Sequence, residues 1–137
     1  MRNLKTTFAA LTLAAAMGVL PGYAQAEMTE AGKKAMQAAG KIMFEQRCRS
    51  CHADDPAAKA YGPSLIDIYG RKAGSLEAFE YSDAMQKSGI VWNEDSLRAW
   101  MANNTDFMPG TRMRHVEISD HAEQDFILSY LRTLSKK

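Results

Sequence analysis

The sequence predicts an all-α domain, and three observations carry that expectation. No segment alternates apolar and polar residues as a half-buried strand would. The stretch from about Thr29 to Cys48 is rich in Ala, Lys, Gln and Met, all good helix formers. Near the C-terminus, Phe126, Ile127, Tyr130, Leu131 and Leu134 recur on one side of a helix. A chain of 137 residues suits one domain and is too short for two separate cores.

The first segment is not part of that domain. Arg2 and Lys5 precede an apolar run from Phe8 to Leu20, and Ala24-Gln25-Ala26 supplies small residues for cleavage. That three-part pattern reads as a secretory signal peptide over 1–26, followed by a mature domain over 27–137. The apolar run is too short to span a bilayer comfortably, so no stable membrane anchor is expected. Losing Arg2 and Lys5 leaves acidic and basic side chains almost balanced. Nucleic-acid binding is therefore not expected, since it draws its affinity from clustered positive charge.

Within the mature domain, Met36, Ile42, Met43 and Phe44 give the first helix an imperfect apolar stripe. Residues 53–62, with Asp54-Asp55-Pro56, read as a loop. From Pro63 to Tyr81, Gly70 and Gly74 punctuate scattered apolar residues without a clean period, so a long shaped loop is expected. Ser82 caps a short helix that ends before Gly89. Asn93 caps another, with Glu94 and Asp95 where the helix dipole favours acids and Leu97, Trp100 and Met101 on one face. Asn103-Asn104 ends it, and residues 105–118 read as a loop around Pro109-Gly110. The last helix starts near Asp120, and Arg132, Lys136 and Lys137 suit its C-terminal end. Loops this long in a small helical domain call for a reason, and a buried cofactor supplies one.

The chain has two cysteines, in Cys48-Arg49-Ser50-Cys51-His52. A disulfide at that spacing closes almost no loop and gains little entropy. A redox dithiol would want a βαβ context, and a zinc site would want a second ligand pair that His115 and His121 do not provide. C-x-x-C-H is instead the attachment signature of haem c: two thioethers hold the ring and the next residue's imidazole meets the iron. A second axial ligand is then needed, and the methionines, His115 and His121 are candidates. Met113 lies in an irregular segment, where the backbone can be shaped to aim one side chain. Met36, Met43, Met85 and Met101 fall in helices and suit core packing.

The chain resembles the class I cytochromes c, in particular the cytochrome c2 and mitochondrial-like branch. The likeness runs from about Gly40 to Leu134. It rests on Gly40 and Phe44 ahead of the C-x-x-C-H motif, Gly62-Pro63-Ser64-Leu65, Gly70-Arg71-Lys72-Ala73-Gly74 and Tyr81-Ser82-Asp83-Ala84. Gly89-Ile90-Val91-Trp92, Leu97 with Trp100, Pro109-Gly110-Thr111-Arg112-Met113 and Tyr130 complete it. The resemblance implies a cytochrome c fold, with N- and C-terminal helices crossing at Gly40 and Tyr130 and with shorter helices and loops wrapped around one haem. It implies covalent attachment through Cys48 and Cys51 and axial ligation by His52 and Met113, with Met108 as the rival methionine. Pro63 would offer its carbonyl to His52. Arg71, Tyr81 and Trp92 would surround one propionate and Thr111 would cap the other; without the resemblance, they read as a loop charge and core aromatics.

Two positions depart from the family's pattern. Trp100 stands where a haem-side tyrosine is usual, and His115 where an aromatic often stands two residues after the axial methionine. The resemblance implies a one-electron carrier rather than an enzyme, docking redox partners at the haem edge and expected to be a monomer. The signal peptide leads us to expect it in the periplasm. The cluster of Arg47, Arg112 and Arg114 at the haem edge leads us to expect an acidic partner face. The alternatives are a haem c subunit of a redox enzyme, a small-ligand-binding haem protein, and a haem-free binding module.

Overall fold

The computed structural model describes residues 28–53, 55 and 59–135. The expected signal peptide over 1–26 and the terminal Lys136-Lys137 lie outside them. Among the described residues there are five helices: α1 (Glu30–Arg47), α2 (Asp83–Lys87), α3 (Glu94–Ala102), α4 (Asn104–Phe107) and α5 (His121–Thr133). The extended pairing among them is limited to one isolated antiparallel bridge, Lys72 to Val91.

Side-chain caps explain where the helices start. The Thr29 hydroxyl accepts from the Gly32 N–H, and Ser82 accepts from the Met85 N–H. Asn93 and Ser96 satisfy each other's backbone N–H groups at 2.8 Å each, a reciprocal box. Asp120 accepts from Ala122 and Glu123. Each cap pairs a donor that the first turn would otherwise leave without a partner.

One expectation is corrected here. Residues 105–118 are not all loop, because α4 opens at Asn104. Asn103 closes α3 with its N–H on the Ala99 carbonyl, while its side-chain oxygen accepts from Thr105 and Asp106. One residue thus stops one helix and starts the next.

The fold is held by α1 crossing α5. A Cβ on Gly40 would lie 1.9 Å from the Phe126 carbonyl oxygen and 3.0 Å from the Tyr130 Cβ, so only a residue without a side chain lets the helices meet this closely. Beside the crossing, the Phe44 and Tyr130 rings pack at 5.2 Å. Phe44, Ile127, Leu128 and Leu131 are buried there, and Leu97, Trp100 and Met101 join them from α3. Ile42 does not. It is 57 % exposed, because it stands on the far side of the helix from Gly40 and Phe44.

The long loop between α1 and α2 is tied down by its own backbone. The Gly62 N–H donates to the Cys51 carbonyl at 2.7 Å, and Asp67 N–H to Leu134 at 3.2 Å. Gly70, Trp92 and Ala73 donate to Trp92, Arg71 and Ile90 at 2.8, 2.9 and 2.8 Å. These bonds set Arg71 beside Trp92 and bury Ala73 and Ile68.

Candidate functional site

The Cys48–His52 motif starts where α1 ends. It is not helical throughout: Cys48 is the C-cap, and the chain continues in turns, with Cys51 and His52 N–H both donating to the Cys48 carbonyl at 3.1 and 2.9 Å. These i,i+3 and i,i+4 bonds keep the three side chains on one local segment. Cys48 packs against the core and Cys51 is exposed.

The thiol chemistry speaks against a redox dithiol. Reactive thiols sit at helix N-termini, where the dipole favours a thiolate. Cys48 sits at the opposite end of its helix, and burial pushes its thiol up to about 11. Among the described residues, no group of three or more His, Cys, Asp or Glu side chains could hold a metal ion.

His52 is 5 % exposed, and its Nδ1 donates to the Pro63 carbonyl at 2.7 Å. A carbonyl can only accept, so Nδ1 carries a proton, and in the neutral ring Nε2 then keeps a lone pair. Burial lowers the ring's pKa and so favours that neutral form, against the raising effect of the Pro63 hydrogen bond. Gly62 presses on the same ring: a Cβ there would lie 2.5–2.9 Å from Cε1, Nδ1 and Nε2.

The segment that carries Met113 is fastened to α3 and α4. The Trp100 indole N–H donates to the Met113 sulfur at 3.3 Å, and the Asn104 amide to the Met113 carbonyl at 2.9 Å. Arg114 donates to the carbonyls of Thr111 (2.7 Å) and Met113 (3.0 Å). The His115 ring faces the Trp100 carbonyl at 3.2 Å and that of Val116 at 2.8 Å. Thr111 is buried, and its hydroxyl accepts from the Met113 N–H at 3.4 Å. Met108 behaves differently. It is buried in the hydrophobic core, while Met113 is half-buried at the core's edge.

The remaining predicted residues lie nearby. The Arg71 guanidinium donates to the Ser64 and Ile66 carbonyls at 2.7 and 2.9 Å, on either side of Leu65 and next to Pro63. Its charge acts on both His52 and Tyr81. Trp92 and Trp100 meet edge to face at 5.3 Å. The basic cluster is weaker than expected. Arg47 forks onto Glu123 at 2.7 and 3.2 Å, and Arg112 pairs with Glu80 at 3.5 Å. Both partners are distant in sequence, so the neutralisation becomes visible only in the folded chain.

In the sequence, Asn103-Asn104 marks only a helix stop. No local signal marks the Asn104 amide as a partner of Met113.

Comparison with known proteins agrees with this geometry. The family model "Cytochrome c" matches residues 37–135. The chain belongs to the cytochrome c family. It is 34% identical to cytochrome c of Euglena viridis, covering 69% of this chain and 93% of that one. It is 36% identical to cytochrome c2 iso-2 of Magnetospirillum fulvum, over 64% and 91%. Among solved structures, cytochrome cH from Methylobacterium extorquens superposes with a TM-score of 0.65 at 37% identity, covering 71% of this chain and 97% of that one.

The cytochrome is accordingly a one-electron carrier with one covalent haem c. Its residues fit the group: a buried imidazole with Nε2 unprotonated, two cysteines on adjacent turns, and a thioether held apart from the other core methionines. Among the described residues, no helix is long and apolar enough to cross a membrane.

Proposed function

We propose that this cytochrome is an exported periplasmic shuttle, released by cleavage after Ala26, in which Cys48 and Cys51 hold the haem and His52 and Met113 are its axial ligands. The observation that carries the ligand assignment is the His52–Pro63 bond at 2.7 Å, which commits Nδ1 and leaves Nε2 for iron. When bound, the group supplies a single iron centre that gains and loses one electron.

The chain's own residues do the rest. Pro63 orients the imidazole and adjusts its basicity. A neutral, soft thioether favours the ferrous state and raises the potential. Arg71, Tyr81 and Trp92 serve one propionate and Thr111 the other. Trp100 covers the distal side. With His52 and Met113 both holding the group, no open position would be left on it for a substrate.

Partners dock as transient complexes of a monomer at the edge near Arg47, Arg112 and Arg114, through an acidic face of their own. Arg114 donates to carbonyls rather than to a carboxylate, so its charge contributes undiminished. Replacing all three by Glu should slow electron delivery, and an unchanged rate would refute this docking mode.

The decisive test is optical, on protein purified from an exporting host. The Met–Fe(III) charge-transfer band should be present at neutral pH and vanish in Met113→Ala. Ready binding of carbon monoxide by the native ferrous protein would instead favour a small-ligand-binding role. Mass spectrometry of the secreted chain should give the polypeptide from Glu27 plus one haem.

A further inference from the structure

Methionine is a flexible ligand, with three rotatable bonds between its backbone and its sulfur. Fixing only the backbone leaves the sulfur free to swing, and fixing only the sulfur leaves the loop free to leave. In this chain both ends are fixed by donors from one junction. Trp100, in the last turns of α3, donates to the sulfur at 3.3 Å, and Asn104, the first residue of α4, donates to the carbonyl at 2.9 Å. The helix breaks between them at Asn103, whose φ of −160° and ψ of 95° are extended. That break re-aims Asn104, so the two donors meet different parts of one residue instead of stacking on one helical face.

Asn104 is 4 % exposed, among the few buried polar side chains of the described residues. Burying an amide is costly unless it finds partners, and its donor is directed at Met113. The indole is equally suited to its end. A thioether sulfur has two lone pairs, so one can accept from Trp100 while the other remains for iron. His115, with its ring 3.2 Å from the Trp100 carbonyl, braces the same junction.

We propose that Asn104 and Trp100 are the positioning pair of the distal ligand, Asn104 holding the backbone end of Met113 and Trp100 its sulfur, so that an outside ligand must break both bonds to displace the thioether. This rests on Met113 being the axial ligand. Preorganisation of this kind adds no contact to iron; it lowers the cost of holding the ligand there.

The test is titration of the ferric holoprotein with imidazole. Asn104→Leu removes the amide at similar volume, and Trp100→Phe removes the N–H while keeping an aromatic ring. Each should tighten apparent imidazole binding about five- to tenfold, the effect of losing one hydrogen bond that exists only in the Met-bound state. Either variant serves if the other fails to fold. Asp120→Ala is the control: it removes the cap of α5, lowering stability without touching Met113, Asn104 or Trp100, and imidazole binding should stay within about twofold of native.

If Asn104→Leu and Trp100→Phe bind imidazole as the native protein does, or if Asp120→Ala tightens binding equally, the pair has no positioning role. In either case Met113→Ala would still abolish the charge-transfer band, and the ligand assignment would stand. If Met113→Ala retains that band, the assignment falls and the pair's role falls with it.

Discussion

The Nδ1 of His52 lies 2.7 Å from the Pro63 carbonyl, and the residue between Pro63 and the rest of the loop, Gly62, leaves no room for a methyl group beside the same ring. The imidazole is therefore fixed twice, by a hydrogen bond to one residue and by steric contact with its neighbour. Both residues depend on the Gly62 N–H bond back to Cys51, which closes the loop on the motif itself.

Gly62→Ala should consequently disturb the proximal side without altering any ligand. Its methyl would meet the ring at 2.5–2.9 Å, and either the imidazole or the loop must give way. We expect a loss of about 1–3 kcal/mol in guanidinium unfolding, as for other overpacked sites. A lower yield of holoprotein should accompany it. Native stability together with a native spectrum would show that the loop yields freely.

The helix crossing is less forgiving. At Gly40 the added Cβ meets backbone, the Phe126 carbonyl, at 1.9 Å. Backbone cannot turn aside as a side chain can, so α1 and α5 must separate. Gly40→Val should cost about 3 kcal/mol or more, the upper end for overpacking. A midpoint of chemical denaturation within error of native would contradict the crossing described here.

A surface network gives a prediction about acid. Glu94 pairs with both Arg98 and Arg132, and Arg98 also with Asp125, linking α3 to α5. The hydrogen bonds from Arg98 and Arg132 hold the Glu94 carboxyl below its ordinary value. Because its folded pKa is depressed, the folded state resists protonation more than the unfolded state does. The stabilisation is then complete above the unfolded value near 4.5 and is lost as the pH falls through the folded one. The side chain is 41% exposed, so solvent screening keeps the contribution small. Glu94→Gln should cost no more than about 1 kcal/mol at pH 7, and the gap should close in acid and in high salt. An equal gap at pH 7 and well below pH 4 would rule out the carboxylate as its source.

Several of these features could be read from the residues alone, and the reason is locality. Ser82, Asn93 and Asp120 cap helices because each side chain reaches an N–H two or three residues on. The C-x-x-C-H spacing likewise states its chemistry within five residues. Asn104 could not be read that way, since an asparagine after a helix serves equally to stop it, to cap the next one or to reach a distant carbonyl. Here Asn103 takes the first two roles and Asn104 the third. The pairing of Arg47 with Glu123 spans 76 residues, so a cluster that looked basic in sequence is partly neutralised in space.

The cofactor should also be inseparable from the fold. Much of what surrounds the site is loop: residues 62–81 contribute only Ile68 and Ala73 to the fully buried apolar set, and the Met113 segment contributes only Ile118 beyond Pro109. Segments with so little apolar burial cannot repay their ordering entropy unaided. Binding that occurs only in the native state adds its free energy to folding. Changing both Cys48 and Cys51 to Ala removes the covalent attachment and should leave an exported chain with little helical circular dichroism and rapid proteolysis. A compact, protease-resistant double variant would mean that α1, α3 and α5 hold the domain together on their own, with the haem a passenger in a scaffold already made.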